Sequence, residues 1–133
     1  MSASAFFDTN VLLYLLSSDS VKADRAEELL AGGGIISVQV LNEFASVACR
    51  KLAMRIPEIR TVLATVRKVC SVVAVDLATH DRGLDLMERH RLSVYDAFIV
   101  AAALQAGCRN LYSEDFQHGR IFGRLSVRNP FRS

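Results

Sequence analysis

Cysteine, histidine and proline are scarce in this chain, and each scarcity excludes something. The three cysteines, Cys49, Cys70 and Cys108, lie far apart with no CxxC spacing. They read as reduced, packed thiols in a cytoplasmic protein rather than as a metal site. The three histidines, His80, His90 and His118, are scattered, so a zinc site has little support. The two prolines, Pro57 and Pro130, are local punctuation, and the chain has no Pro-rich linker, internal repeat or low-complexity segment. Long apolar runs are missing too. The longest charge-free stretch, Leu29–Asn42, is broken by Gly32-Gly33-Gly34, whereas a membrane-spanning helix needs about 20 apolar residues. The first residues, Met1 to Asp8, have no positive region, and Asp8 interrupts their apolar run, so they do not read as a signal peptide.

What is present suffices for one packed domain, residues 1–133. Hydrophobic residues make up 51% and charged residues 23% of the chain, enough apolar surface to offset the entropy of ordering. The net charge of +2 is unremarkable, but its distribution is not. Arg50, Lys51, Arg55, Arg60, Arg67 and Lys68 face only Glu58 within residues 50–68, and Arg120, Arg124, Arg128 and Arg132 dominate a tail with no acid after Asp115. Two basic zones of this kind are either solvated helix faces or a track for a polyanion.

Short apolar runs alternate with helical periods. Strands are expected at Ala3–Phe7, Ile35-Ile36, Val72–Val75 and Asn110–Tyr112, with a last one beginning near Val127. Helices are expected over Thr9–Leu16, Lys22–Ala31, Val38–Ala53 behind a Ser37 N-cap, Pro57 to about Cys70, an exposed Thr79–His90, and Ser93 to Ala106. This alternation implies crossover connections and a short-stranded, mostly parallel sheet of about five strands between helices, an α/β sandwich of three layers.

Acids recur where such a fold places its crevice. Asp8 closes the first strand and Asp115 follows the strand Asn110–Tyr112, and ligands of open parallel sheets bind beyond the carboxyl ends of the strands. Asp8 also fits a helix cap. Asp96 stands at the start of Ala97–Ala106, ten residues without a charge on any face; it fits a capping box with Ser93, yet a helix buried all round gains nothing from an inward charge. Glu43 lies beside an apolar stripe, where a surface glutamate is the plain alternative. Four carboxylates converging on one crevice would repel one another. A hard divalent cation, Mg²⁺ or Mn²⁺, removes that conflict through oxygen ligands. Such a site suits phosphodiester hydrolysis, because the ion polarises the phosphate and acidifies an attacking water. The basic zones would then hold a nucleic-acid backbone.

Four blocks carry a family resemblance. Phe6-Phe7-Asp8-Thr9-Asn10-Val11-Leu12, Ile36–Phe44 containing Glu43, Tyr95–Ala103 containing Asp96, and Leu111–Gly119 containing Asp115 occur in the order seen in PIN-domain ribonucleases, and the ending Val127–Phe131 is similar as well. The chain most resembles the VapC-type toxins of bacterial toxin–antitoxin pairs. The resemblance implies an endoribonuclease in which Asp8, Glu43, Asp96 and Asp115 are catalytic, Asp8, Asp96 and Asp115 bind Mg²⁺ or Mn²⁺, and Asn10, Ser37 and Ser113 support them. It further implies an RNA substrate, an inhibitory antitoxin and a homodimer. A surface for the antitoxin is available in Leu12, Leu13, Leu15, Leu16, Leu29 and Leu30, unless these leucines are ordinary core. Two rival readings remain: a phosphotransfer domain with Asp8 as nucleophile, and a non-catalytic module that binds RNA or an antitoxin.

Overall fold

β1 (Ala5–Phe7) is the innermost strand, and the rest of the sheet grows outward from it on both sides. The computed structural model describes residues 5–132; the expected first strand began at Ala3, which lies outside the described residues. After β1 come α1 (Thr9–Leu13), a 3₁₀ turn (Tyr14–Leu16), α2 (Ser20–Ala31), β2 (Gly34–Ser37), α3 (Val38–Lys51) and α4 (Ile56–Val69). β3 (Cys70–Val73), α5 (Leu77–His90), α6 (Val94–Gln105), β4 (Asn110–Tyr112), β5 (Ile121–Phe122) and β6 (Leu125–Arg128) complete the chain.

The strand order is β3-β2-β1-β4-β6-β5. Every pairing is parallel except β5 with β6. Phe6 pairs with Ile35 on one side and Leu111 on the other, so β1 is flanked by strands distant in sequence. Gly34 makes that approach possible: a Cβ there would stand 2.9 Å from the Ala5 carbonyl and 2.5 Å from the Phe7 ring. Helices cover both faces, and the buried side chains Phe6, Ile36, Leu111, Phe44, Ile99 and Val100 join sheet and helices in one core.

Three expectations need correction. The sheet has six strands, because a two-residue strand, β5, folds back on β6 through Gly123 and Arg124. β3 occupies Cys70–Val73 instead of Val72–Val75, since the register pairs Gly34 with Cys70 and Ser37 with Val73. The first helix ends at Leu13, its last turn tightening into the 3₁₀ geometry common at helix ends. α5 is exposed along most of its length, as expected, and buries one narrow stripe. Thr79, Gly83 and Leu86 are buried, and the Phe98 ring of α6 rests against Gly83 where a Cβ would be. Among the described residues no helix is long and apolar enough to cross a membrane.

Candidate functional site

The carboxyl ends of β1, β2 and β4 lie side by side, and α1, α3 and the loop after β4 leave from them. Asp8 follows β1 and caps α1. Its Oδ1 accepts the Thr9 N–H at 2.7 Å, and its Oδ2 accepts the Ser113 hydroxyl at 2.7 Å and the Asn10 amide at 3.5 Å. Ser113 follows β4, so this bond joins neighbouring parallel strands, as does the Asp8 N–H donated to the Tyr112 carbonyl at 3.0 Å. The Asn10 amide also donates to Ser113 Oγ at 3.2 Å, and its Oδ1 accepts the Glu114 N–H at 3.2 Å. Ser113 Oγ accepts the Asp115 N–H at 3.0 Å. The three side chains are thus held by one another before any ligand arrives.

Glu43 projects from the second turn of α3. Its Oε2 accepts the Thr9 hydroxyl at 2.9 Å and its Oε1 accepts the Gln39 amide at 3.3 Å. Gln39 also donates to the Tyr95 carbonyl at 3.0 Å, tying α3 to the start of α6. Asp96, in the first turn of α6, is half-buried, and its N–H donates to the Ser93 cap at 3.4 Å. Asp115 is exposed. Ser37 stays apart from this network: it is fully buried, and its Oγ accepts the Val40 N–H at 3.4 Å as the cap of α3.

The charges of the four acids act on one another. Burial pushes the Asp8 carboxyl up to about 7, and the Asp115 and Glu43 charges add to that while the bonds from Ser113 and Thr9 oppose it. Burial raises Glu43 as well, with Asp96 and Asp115 contributing. Asp96 is raised by burial and by Asp115, against the Ser93 hydroxyl. A site with this much unrelieved negative charge, offering only carboxylate, amide and hydroxyl oxygens, fits a hard divalent cation by donor chemistry. Among the described residues no three His, Cys, Asp or Glu side chains already close to ligating distance.

A cleft of about 830 Å³ opens over this end of the sheet, walled by Thr9, Asn10, Glu43 and Asp115 and also by Gln39, Tyr95 and Arg50. Sequence reasoning singled out neither Thr9 nor Gln39 nor Tyr95. Signals were available: Thr9 adjoins Asp8, and Gln39 precedes Glu43 by four residues, the spacing at which helical side chains meet. Tyr95 adjoins Asp96 in the same way, but its exposure, 64%, is a property of the fold alone. A second, apolar groove lies where α2 meets α4, lined by Leu15, Leu16, Leu30, Val62, Val66 and Val69. Of the six leucines expected to form a surface, Leu12 and Leu30 are buried core, whereas Leu13, Leu15, Leu16 and Leu29 are only partly covered.

The PIN domain family model matches residues 5–122. No curated protein matches the chain. Solved structures do. A toxin–antitoxin complex from Klebsiella pneumoniae superposes with a TM-score of 0.72 at 23% identity, over 98% of this chain and 100% of that one. Mycobacterium tuberculosis VapC20, a sarcin-ricin loop cleaving toxin, gives 0.69 at 23% identity over 84% and 90%. VapBC2 from Rickettsia felis, bound to a DNA fragment from its promoter, gives 0.67 at 17% identity over 94% and 97%.

Proposed function

The chain belongs to the PIN domain family, and on that premise we propose that it is a divalent-metal-dependent endoribonuclease acting as the toxin of a toxin–antitoxin pair. The observation that carries this reading is the buried Asp8 carboxyl at the carboxyl end of β1, raised to about 7 by burial and by the charges of Asp115 and Glu43, which wall the cleft beside it. Asp8, Asp96 and Asp115 are the residues that would hold Mg²⁺ or Mn²⁺. When bound, such an ion supplies positive charge to a phosphate oxygen and makes a water more acidic.

The chain's own residues account for the remaining work. Ser113 and Asn10 fix the Asp8 carboxylate from one side and the Thr9 N–H from the other. Glu43, half-buried and raised, is the carboxylate suited to accept a proton from the attacking water, and Thr9 and Gln39 hold it in one orientation. Arg50 on the cleft wall offers charge to the RNA backbone, and the exposed Tyr95 ring offers a face to a base. The apolar groove between α2 and α4 suits a hydrophobic segment of the antitoxin, in keeping with the complexes among the structural neighbours. The phosphotransfer reading finds less support, because both Asp8 oxygens are engaged and the residue is 4% exposed.

The test is cleavage of bacterial total RNA by the purified protein with Mg²⁺, with Mn²⁺ and with EDTA, alongside Asp8→Asn. New RNA ends are expected with either metal, none with EDTA, and none with the variant. Equal cleavage by Asp8→Asn, or in EDTA, refutes the mechanism. Sequencing the ends identifies the target.

A further inference from the structure

β4 has two ends, and the carboxylates occupy only one. At the other end lies a third cavity, of about 550 Å³. Four arginines from three segments rim it: Arg82 and Arg89 on α5, Arg109 just before β4, and Arg124 in the turn between β5 and β6. All four are exposed. Among the described residues the ion pairs are Lys22–Glu114 and Arg25–Glu28, which leave these arginines out. The arginine side chains that donate hydrogen bonds among the described residues are Arg25, Arg50, Arg120 and Arg128, again none of the four. Asp85 is the single acid on the lining, so three positive charges remain in surplus over one concavity. Low-dielectric walls focus such a field outward.

The floor beneath these charges is fixed. Phe122 is fully buried there, with the His90 ring edge-on at 5.0 Å and the Arg120 guanidinium over its face at 4.7 Å. Arg120 also donates to the His90 carbonyl at 3.2 Å. Gly107 and Gly123, with φ of +74° and +59°, make the sharp turns from which Arg109 and Arg124 reach the rim. Guanidinium matches phosphate geometry through paired donors, which lysine does not.

The geometry points to this cavity as a docking site for the phosphodiester backbone of RNA, gripping the strand away from the bond that is cut. The inference rests on the nuclease reading above. Several spread cations suit successive phosphates of a strand better than one small anion. The path to the cleft is short. Arg109 and Ser113 are separated by roughly 13 Å of strand, and exposed Arg128 ends β6 beside Ser113, whose N–H donates to the Arg128 carbonyl at 3.0 Å. The RNA would thus leave the cavity at Arg124 and approach the carboxylate end of the sheet at exposed Arg128.

The test measures binding of a fluorescein-labelled 20-nucleotide single-stranded RNA in EDTA, for the unaltered protein and for the Arg82→Gln/Arg89→Gln/Arg124→Gln variant. All three positions are exposed, and thermal melts confirm folding; should the triple variant not fold, Arg82→Gln and Arg124→Gln are measured singly. Losing three phosphate contacts lowers the slope of log Kd against log salt by about 2. Between 50 and 200 mM salt the unaltered protein then loses about 20-fold more affinity than the variant. The gain in affinity from a 6-mer to the 20-mer also shrinks in the variant. Unchanged slope and affinity in a variant that folds, with RNA cleavage by the unaltered protein intact, overturn the docking site and leave the nuclease reading standing. No binding and no cleavage by the unaltered protein bring down both. Competition by inorganic phosphate at equal charge concentration assigns the cavity to a free anion, and equal competition by poly-glutamate assigns it to an acidic peptide; either result refutes the RNA assignment.

Discussion

Asp8 should make this protein less stable as the pH rises, and replacing it should remove that part of the trend. Its carboxyl titrates near 7 in the folded chain against an ordinary value of 3.8. The folded chain therefore binds this proton more tightly than the unfolded chain. The resulting stabilisation is complete below about pH 4 and is lost as the pH rises through 7. At about 1.4 kcal/mol for each tenfold change in proton affinity, the whole effect is roughly 4 kcal/mol. Asp8→Asn removes the charge while keeping the shape. The amide oxygen keeps the Thr9 N–H, but the amide nitrogen faces the Ser113 hydroxyl, which must turn its hydrogen elsewhere at a cost of about 1 kcal/mol.

In EDTA the variant should be the more stable protein at pH 8 by roughly 3 kcal/mol, and only slightly so at pH 5. Urea titrations at the two values measure this directly, because the difference between the proteins isolates Asp8 from Glu43 and Asp96. The gap should widen by roughly 2–3 kcal/mol between pH 5 and pH 8. A gap that is the same at both values would mean that Asp8 is not held at high proton affinity, and the account of the site built on it would fail. Adding Mg²⁺ at pH 8 supplies a second check. It should stabilise the unaltered protein and leave the variant nearly unmoved.

Ser113→Ala removes a hydroxyl that donates to Asp8 and accepts from Asn10 and Asp115. A stability loss of about 1–3 kcal/mol is expected by urea titration, and the pH at which metal-dependent cleavage sets in should rise, since the bond to Ser113 lowers the Asp8 pKa. Thiol labelling at pH 8 should find one reactive cysteine in the folded protein and three after denaturation. Cys49 is exposed, whereas Cys70 and Cys108 are buried with thiols pushed up to about 11.

Much of this arrangement was legible in the sequence, for reasons visible residue by residue. Ser37 and Ser93 announce helix starts because a small hydroxyl before an apolar period has few other uses, and both cap as expected. Asp8 offered two readings, cap and site carboxylate; the cap is seen in the Thr9 N–H on Oδ1, while Oδ2 accepts from Ser113 and the site role rests on the proposal above. Other features depend on pairing, which no local pattern contains. β3 slid two residues toward Cys70 because β2 sets its register. Two-residue β5 has no length from which a strand could be read. The start of α5 at Leu77 follows from Asp76, whose side chain accepts the Thr79 N–H at 3.0 Å while Thr79 returns a bond to the Asp76 N–H at 3.2 Å. The arginine cavity was illegible for the same reason: Arg82, Arg89, Arg109 and Arg124 become neighbours only through the fold.

The same local devices that start the helices offset part of the cost of the carboxylates without removing it. α1 begins directly at Asp8, α3 directly at Ser37, and α6 begins two residues before Asp96. Helix N-termini present unpaired N–H groups and partial positive charge, each offsetting an anion by up to about 2 kcal/mol in partly buried geometry. Yet Asp8, with the Thr9 N–H and a hydroxyl on its oxygens, still rises to about 7, and Glu43 and Asp96 rise with it. Burial and mutual repulsion therefore outweigh every donor the chain supplies. The deficit is one of charge rather than of hydrogen bonds, since no buried side-chain oxygen or nitrogen among the described residues lacks a partner. Further protein dipoles would not remove it; a cation or a proton would. Which of the two fills the cleft near neutral pH decides whether this end of the sheet is a metal site or an acid held neutral, and the Mg²⁺ dependence of stability at pH 8 separates them.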